Sequence, residues 1–271
     1  MKTLFLAAIL LSMTNILPAQ TNSSSVAKKK FKRYWLLGAG NSTQSMYDEA
    51  ISFVRYRGSG IAPSIGLVKG SDKIQRQFII QPTFVKLTTT RSNGLRPMEV
   101  LTTRFFADYQ YLVEAKEWND KMKLYTGGNI SLLFNLKRAE QLDNSQLLYD
   151  YALSIGPSAR LDKIVNWKKR ACILSWNITV PLLSHIARPY YLNRIEFIDP
   201  KNDFTGDLLK NSSLGSIDKH FSITSGVSLT YPLFNGNALK LGYSWDYYRM
   251  KTINKVYSAG HLISISFLSN Y

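Results

Sequence analysis

A chain of 271 residues is long enough for one domain with a sizeable core. Its mean hydropathy of -0.13 comes without any run of the roughly 18 apolar residues that a membrane helix requires. The single cysteine, Cys172, excludes an internal disulfide and a metal site built from several thiolates. A formal charge of +16 raises nucleic acid as a partner, but the basic residues sit at strand ends and turns and not along a helix or a recognition motif, so no nucleic acid is expected.

Lys2 precedes an apolar run from Leu4 to Leu11 and a second short one at Ile16-Leu17, ahead of Pro18-Ala19-Gln20. That pattern is a secretory signal peptide, residues 1–19, cut after Ala19. Residues 20–33 form a Ser/Asn-rich leader ending in the basic group Lys28, Lys29, Lys30, Lys32 and Arg33, which suits contact with anionic headgroups. A single domain is expected over residues 34–271.

Residues 34–41 look like the start of a strand, without a clear place in the count, and residues 41–49 like a polar connection. Residues 50–57 and 61–68 flank Gly58-Ser59-Gly60, a hairpin signal with a Gly-rich tip. The next strand covers residues 74–87, followed by a polar segment with a turn at Asn93-Gly94. In residues 100–113, Leu101, Phe105, Tyr109, Tyr111 and Val113 alternate with Arg104, Asp108 and Gln110. The clearest alternation follows, with Met122, Leu124, Ile130, Leu132, Phe134 and Leu136 on one parity and Tyr125, Asn129, Ser131 and Asn135 on the other. Leu147, Tyr149, Tyr151, Leu153 and Ile155 oppose Asp150, Ser154, Gly156 and Arg160. The return strand sets Cys172, Leu174, Trp176 and Ile178 against Ser175, Asn177 and Thr179, which makes Cys172 a small lipid-facing hydrophobe.

Residues 183–219 lack clear alternation and read as the longest loop, carrying Arg188, Tyr190, Tyr191, Arg194, Phe197 and Phe204. Exposed loop aromatics with arginine suit a protein partner. The loop aspartates Asp199, Asp203 and Asp207 lack the glycine and glutamate of a calcium loop, and no metal or other cofactor is expected. The last part of the chain reads as three strands in a row. Phe221, Ile223, Val227, Leu229 and Tyr231 alternate with small polar residues; a turn at Asn235-Gly236-Asn237 follows; Leu239, Leu241, Tyr243, Trp245 and Tyr247 alternate with Lys240, Gly242, Ser244 and Asp246; and Ile263, Ile265 and Phe267 alternate with serines.

Strands apolar on one face and small or polar on the other suit a closed antiparallel barrel with lipid outside and a polar interior. The expected fold is all-β, a transmembrane barrel of about ten strands, with twelve as the alternative, joined by short periplasmic turns and longer extracellular loops. A soluble β-sandwich is the competing fold. The signal peptide, the alternating strands, the aromatic outward faces and Tyr271 together resemble outer-membrane β-barrel proteins of Gram-negative bacteria. The resemblance is architectural and covers nearly the whole mature chain. It implies an outer-membrane location, contact with lipid including anionic lipopolysaccharide, and recognition of Phe267 and Tyr271 by the barrel assembly machinery.

A barrel of this size has an interior that side chains largely fill. The inward charges Arg104, Asp108, Asp150, Arg160, Lys240 and Asp246 are therefore expected to pair with one another, because an unpaired buried charge is costly. Function is expected to lie in a structural or binding role through the extracellular loops. The alternatives are a narrow channel selecting by charge at Arg104, Asp108 and Asp246, and a lipid hydrolase in the barrel wall. The hydrolase needs a serine beside a histidine. His261 has outward parity near the rim, but the outward serine Ser225 lies two strands away, so no catalytic residues are assigned.

Overall fold

The computed structural model describes residues 32–71, 73–89, 98–118, 121–139, 146–167, 170–188, 212–252 and 254–271. The expected signal peptide, the expected leader before Lys32, the expected turn at Asn93-Gly94, the loop candidates Tyr190, Tyr191, Arg194, Phe197 and Phe204, and Asp199, Asp203 and Asp207 lie outside them.

Twelve strands are described: β1 (Lys32–Asp48), β2 (Ser52–Gly70), β3 (Ile74–Thr89), β4 (Glu99–Trp118), β5 (Met122–Ala139), β6 (Gln146–Trp167), β7 (Arg170–Thr179), β8 (Leu183–Ala187), β9 (Ser212–Gly215), β10 (His220–Pro232), β11 (Ala238–Lys251) and β12 (Lys255–Asn270). Ten of them close an antiparallel ring in the order β1 to β7, then β10, β11 and β12, which returns to β1. The remaining two extend the wall. β8 takes over from β7 as the partner of β6, pairing at Tyr151 to Ile155, and β9 pairs with β8. The change of partner falls at Val180-Pro181-Leu182, opposite Pro157, where two prolines remove ladder donors.

The ring closes because each of its ten strands is paired on both sides, which leaves no edge of the ring open. Along β1 the even residues Ser42, Gln44, Met46 and Asp48 are buried, while Trp35, Leu37 and Tyr47 face out. The outward wall is apolar over most of its circumference, with Ile61, Phe84, Phe105, Ile155, Trp176, Val227, Leu241 and Ile263 exposed. Aromatic pairs mark both ends of that band. Trp35 meets Tyr271 at 5.8 Å at one end, and Tyr47 meets Tyr257 at 5.9 Å at the other. Trp35 and Tyr47 are twelve residues apart, which for a tilted strand corresponds to a height of about 30 Å, the thickness of the hydrocarbon layer. The connections at residues 71–73, 119–121, 168–169 and 233–237 are short and share the end of Trp35 and Tyr271. β8 ends and β9 begins at the other end, where residues 188–211 separate them in sequence, and that end is thereby the extracellular one.

Three expectations are corrected. Gly58-Ser59-Gly60 is not a hairpin tip but the middle of β2, and residues 34–48 lie in one strand, β1, joined to β2 by the tight turn at residues 49–51. A hairpin of this kind needs left-handed backbone, and among the described residues only Asn235 (φ 63°) and Gly236 (φ 78°) have it. The glycines in β2 serve a close approach instead: a Cβ at Gly58 or Gly60 would overlap the carbonyl oxygen of Lys86 or Phe84 on β3. Just beyond them the β2–β3 ladder is interrupted between Ile61↔Phe84 and Ile65↔Ile80, the stretch that holds Pro63 and Pro82. Merging two expected strands and adding β1 leaves the number at ten. Cys172 has the outward parity of Leu174 and Trp176, yet it is fully buried and not lipid-facing.

The inside of the ring is layered. At the extracellular end, Met46, Tyr56, Leu87, Val100, Leu148, Ile186, Met250 and Val256 pack into an apolar core. At the periplasmic end Leu36, Ala238 and Leu268 form a smaller cluster. Between these lies a zone lined mainly by serine, threonine and amide side chains.

Candidate functional site in the barrel lumen

Two carboxylates and two cations meet inside the extracellular core. Asp48 ends β1, Lys137 comes from β5, Asp150 from β6, and Arg188 follows β8 at the entry to the long loop. Lys137 Nζ lies 2.6 Å from Asp48 Oδ2 and 2.5 Å from Asp150 Oδ2. Arg188 joins the same two carboxylates, pairing with Asp48 through Nη2 and lying 3.3 Å from Asp150 through Nη1. The side chains of Lys137, Asp48 and Asp150 have no solvent exposure, and Arg188 has 1%. Tyr248 on β11 donates to Asp150 Oδ2 at 2.9 Å and accepts from Asn135 Nδ2 at 2.9 Å. The Ala50 amide donates to Asp48 Oδ1 at 3.0 Å, so the tight β1–β2 turn is tied into the same network. The charges balance, and the four ion pairs tie β1, β5, β6 and the end of β8 to one another.

The next layer toward the periplasm is Arg104, whose Nη2 lies 2.7 Å from Asp246 Oδ2 on β11, with its guanidinium 5.4 Å from the Tyr248 ring. Beneath it two polar spaces follow one another along the axis. One of about 90 Å³ is bounded by Arg104, Asp246, Gln44, Ser154 and His220. The other, about 160 Å³, is bounded by Asp108, Gln110, Asn129, Thr224 and Lys240. At roughly 30 Å³ per molecule such spaces hold a few waters each. His220 Nδ1 bonds Ser184 Oγ at 2.8 Å, which bonds Ser154 Oγ at 2.8 Å. Among the described residues its buried Nε2 has no partner, and it borders the smaller space.

All six charges expected in the lumen are in it, but their partners differ from those expected. Arg104 and Asp246 pair with each other. Asp150 pairs with Lys137 and Arg188, which were not among the six. Arg160 pairs with Asp162 on its own strand at 2.7 Å and with Ser175 Oγ at 3.1 Å. Asp108 is held by two amides, Gln110 Nε2 at 2.7 Å and Asn129 Nδ2 at 3.0 Å. Lys240 makes no ion pair among the described residues and faces the larger space. Arg188 is corrected most: expected on the surface of the loop, it is 4% exposed and anchored inside the barrel. Its two carboxylate partners draw it in, since a guanidinium matches two acceptors at once.

Asp48, Lys137 and Tyr248 were missed. Lys137 has the parity of Asn135 and Tyr248 that of Asp246, so extending each alternation by two residues would have found both. Asp48 was hidden by the reading of residues 41–49 as a connection. On the outer wall, His261 Nδ1 is bonded to the Tyr243 hydroxyl at 2.8 Å and Ser225 Oγ accepts from Trp176 Nε1 at 3.1 Å. Ser225 pairs with Trp245 and Trp245 with His261, so the serine and histidine are two strands apart. Phe267 and Tyr271 are exposed on the outward wall, 40% and 60% respectively.

No protein-family model matches the chain, and no curated protein matches it significantly. Solved structures do. The outer membrane protease OmpT of Escherichia coli superimposes with a TM-score of 0.52 at 9% identity, covering 93% of this chain and all of that one. The translocator domain of the autotransporter NalP of Neisseria meningitidis gives 0.42 at 9% identity, covering 100% and 96% of the two chains. An outer membrane channel of Pseudomonas putida F1 gives 0.36 at 10% identity, covering 95% and 100%. At such identities the likeness concerns the fold, which is that of outer-membrane β-barrels, and that fold hosts several activities. The lipid-facing wall, the aromatic girdles and this fold together place the chain in the outer membrane.

Proposed function

We propose that the protein is a closed barrel that works through its extracellular rim and loops, as a binding or structural component of the outer membrane, and neither conducts solute nor catalyses a reaction. The observation that carries this reading is the network of Asp48, Lys137, Asp150 and Arg188, buried in an apolar core across the extracellular mouth. Opening a path there would break ion pairs that have no water to replace them, at a cost of several kcal/mol per charge. The anchoring of Arg188 also fixes the root of the long loop to the barrel, as a rigid base for a binding loop requires.

Catalysis finds little support. The exposed histidine is bonded to a tyrosine, and the buried His220–Ser184 contact lies beneath the ion-pair network with no group among the described residues on Nε2 to orient the ring. The competing reading is a narrow channel, favoured by the two polar spaces along the axis. Single-channel recording of the refolded mature chain in a planar bilayer separates the two, with heat-modifiable gel mobility verifying the fold. The closed barrel gives no steady conductance. A steady current that changes on Arg104→Gln or Asp108→Asn would replace this reading with the channel.

A further inference from the structure

The apolar outer wall is interrupted in one sector. On β1 the outward positions beyond Ala39 are Asn41, Thr43 and Ser45, and strand register sets Ser59 of β2 and His261 of β12 on either side of Thr43. Asn41 is six residues from both Trp35 and Tyr47, so the polar patch starts at the middle of the band that those aromatics bound. Asn41, Thr43, Ser59 and His261 are exposed, and Ser45 is half-buried. His261 is bonded to Tyr243 through Nδ1, but among the described residues the side chains of Asn41, Thr43, Ser45 and Ser59 bond nothing. Outward polar residues on other strands show the contrast. Thr103 on β4 stands alone, opposite Phe84 on one side and Leu136 on the other, and Ser225 accepts from Trp176 Nε1.

Hydrocarbon supplies no hydrogen bonds, so a cluster of unbonded polar side chains facing it carries a desolvation cost that a partner with donors and acceptors at the same depth removes. Small residues along the patch, Ala39, Ser45 and Ala259, let a second protein wall approach closely. Ile61 and Ile263, which flank Asn41, are 65% and 69% exposed and stand ready to close such a contact against lipid. The chemistry of the patch selects the partner. Asn, Ser, Thr and His side chains can each donate and accept, so the surface is complementary to a copy of itself. All copies enter the membrane in one direction, and a two-fold axis along the membrane normal brings like residues together at equal depth. The five members include no carboxylate, lysine or arginine to repel its equivalent. Arg57, beside Ser45 on β2, has a stem long enough to carry its charge to the headgroups.

We propose that this face is the contact between two copies of the chain, which form a symmetric dimer in the outer membrane through β1, β2 and β12. Asn41 and Thr43 lie near the axis and hydrogen-bond across it, and Ile61 and Ile263 seal the contact at its margins. The face is on the outer wall, so the dimer holds whether or not the lumen conducts.

The test is sedimentation equilibrium of the refolded mature chain in a detergent matched to the solvent density, over a range of protein-to-detergent ratios, with heat-modifiable gel mobility verifying the fold. The wild-type chain gives a monomer–dimer equilibrium that follows the ratio. A hydrogen bond between membrane segments contributes about a threefold factor, and symmetry counts each substitution twice, so Asn41→Leu with Thr43→Val weakens the dimer by about 80-fold. Thr103→Val, three strands away, leaves it unchanged. Should the double variant refold poorly, Asn41→Cys supplies a second reading: in lipid vesicles mild oxidation joins two copies into a species of twice the mass, and Thr103→Cys gives none. Cys172 is fully covered and does not contribute. A wild-type chain that stays monomeric at every ratio, a folded double variant that dimerises like wild type, or equal cross-linking at the two cysteine positions overturns the proposal. So does an Asn41→Cys chain that, in the outer membrane of expressing cells, is joined to a different protein and not to a second copy.

Discussion

Lys137 is the residue on which the buried network turns, because its ammonium lies between two carboxylates at 2.6 and 2.5 Å with no access to water. Lys137→Met keeps the length of the side chain and removes the charge, leaving Asp48 and Asp150 facing Arg188 alone. The expected loss is about 3–5 kcal/mol, the range for breaking a buried pair by removing one partner. Tyr248→Phe removes one acceptor and one donor from the same cluster and costs about 1–3 kcal/mol. At the exposed rim, Lys86→Gln breaks a pair whose side chains are 56% and 37% exposed, and it shifts stability by less than about 1 kcal/mol. Urea unfolding of the refolded chain in detergent, followed by tryptophan fluorescence, measures all three. A Lys137→Met midpoint equal to that of Lys86→Gln would remove the network as a source of stability. The lumen charges were legible because parity alone selects inward positions. Their partners were not, because pairing across a ring depends on register and tilt, and Arg188 lies at the margin of the long loop, where alternation no longer guides.

At the scale of the strand, the glycines of β2 distinguish a bend from a turn. A Cβ at Gly60 would overlap the Phe84 carbonyl oxygen, a backbone atom that cannot swing aside. Gly128 on β5 has its nearest neighbour, the Gly156 carbonyl oxygen, at 3.5 Å, an ordinary contact. Gly60→Ala is therefore expected to lower the yield of heat-modifiable barrel severely, and Gly128→Ala to leave it near wild type. A hairpin tip at residues 58–60 would give a different result, since alanine there would affect only an exposed loop. Wild-type yield for Gly60→Ala would restore that hairpin. This is also where strand boundaries were hardest to see. Period-2 alternation located β3 to β7 and β10 to β12 because each has bulky apolar residues on its outward face. In β1, by contrast, the outward positions Asn41, Thr43 and Ser45 are polar, and the alternation fades while the backbone pairing continues to Asp48.

For the whole molecule, closure depends on β1, the strand that the amino-acid pattern marked least clearly. It pairs with β12 from Tyr34↔Asn270 to Asp48↔Val256 and with β2 along its full length, so one strand joins the two ends of the sheet. If β1 were an added segment outside the barrel, β2 would have to meet β12 directly. The seam can be tested where it faces outward and away from the buried network. Thr43 lies opposite His261, and both are exposed. Opposed residues of an antiparallel pair have Cβ atoms about 4.5–5.5 Å apart, close enough for a disulfide after a small adjustment. In a Thr43→Cys, His261→Cys chain, mild oxidation is expected to join the cysteines, giving faster mobility on a non-reducing denaturing gel that dithiothreitol reverses. Cys172 is fully covered and does not compete. Shifting one partner to Ser59, which neighbours Thr43 on β2, supplies the control: a Ser59→Cys, His261→Cys pair is separated by β1 and does not cross-link. If that control pair bridges and the Thr43 pair does not, β2 rather than β1 meets the last strand, and the ring has one strand fewer.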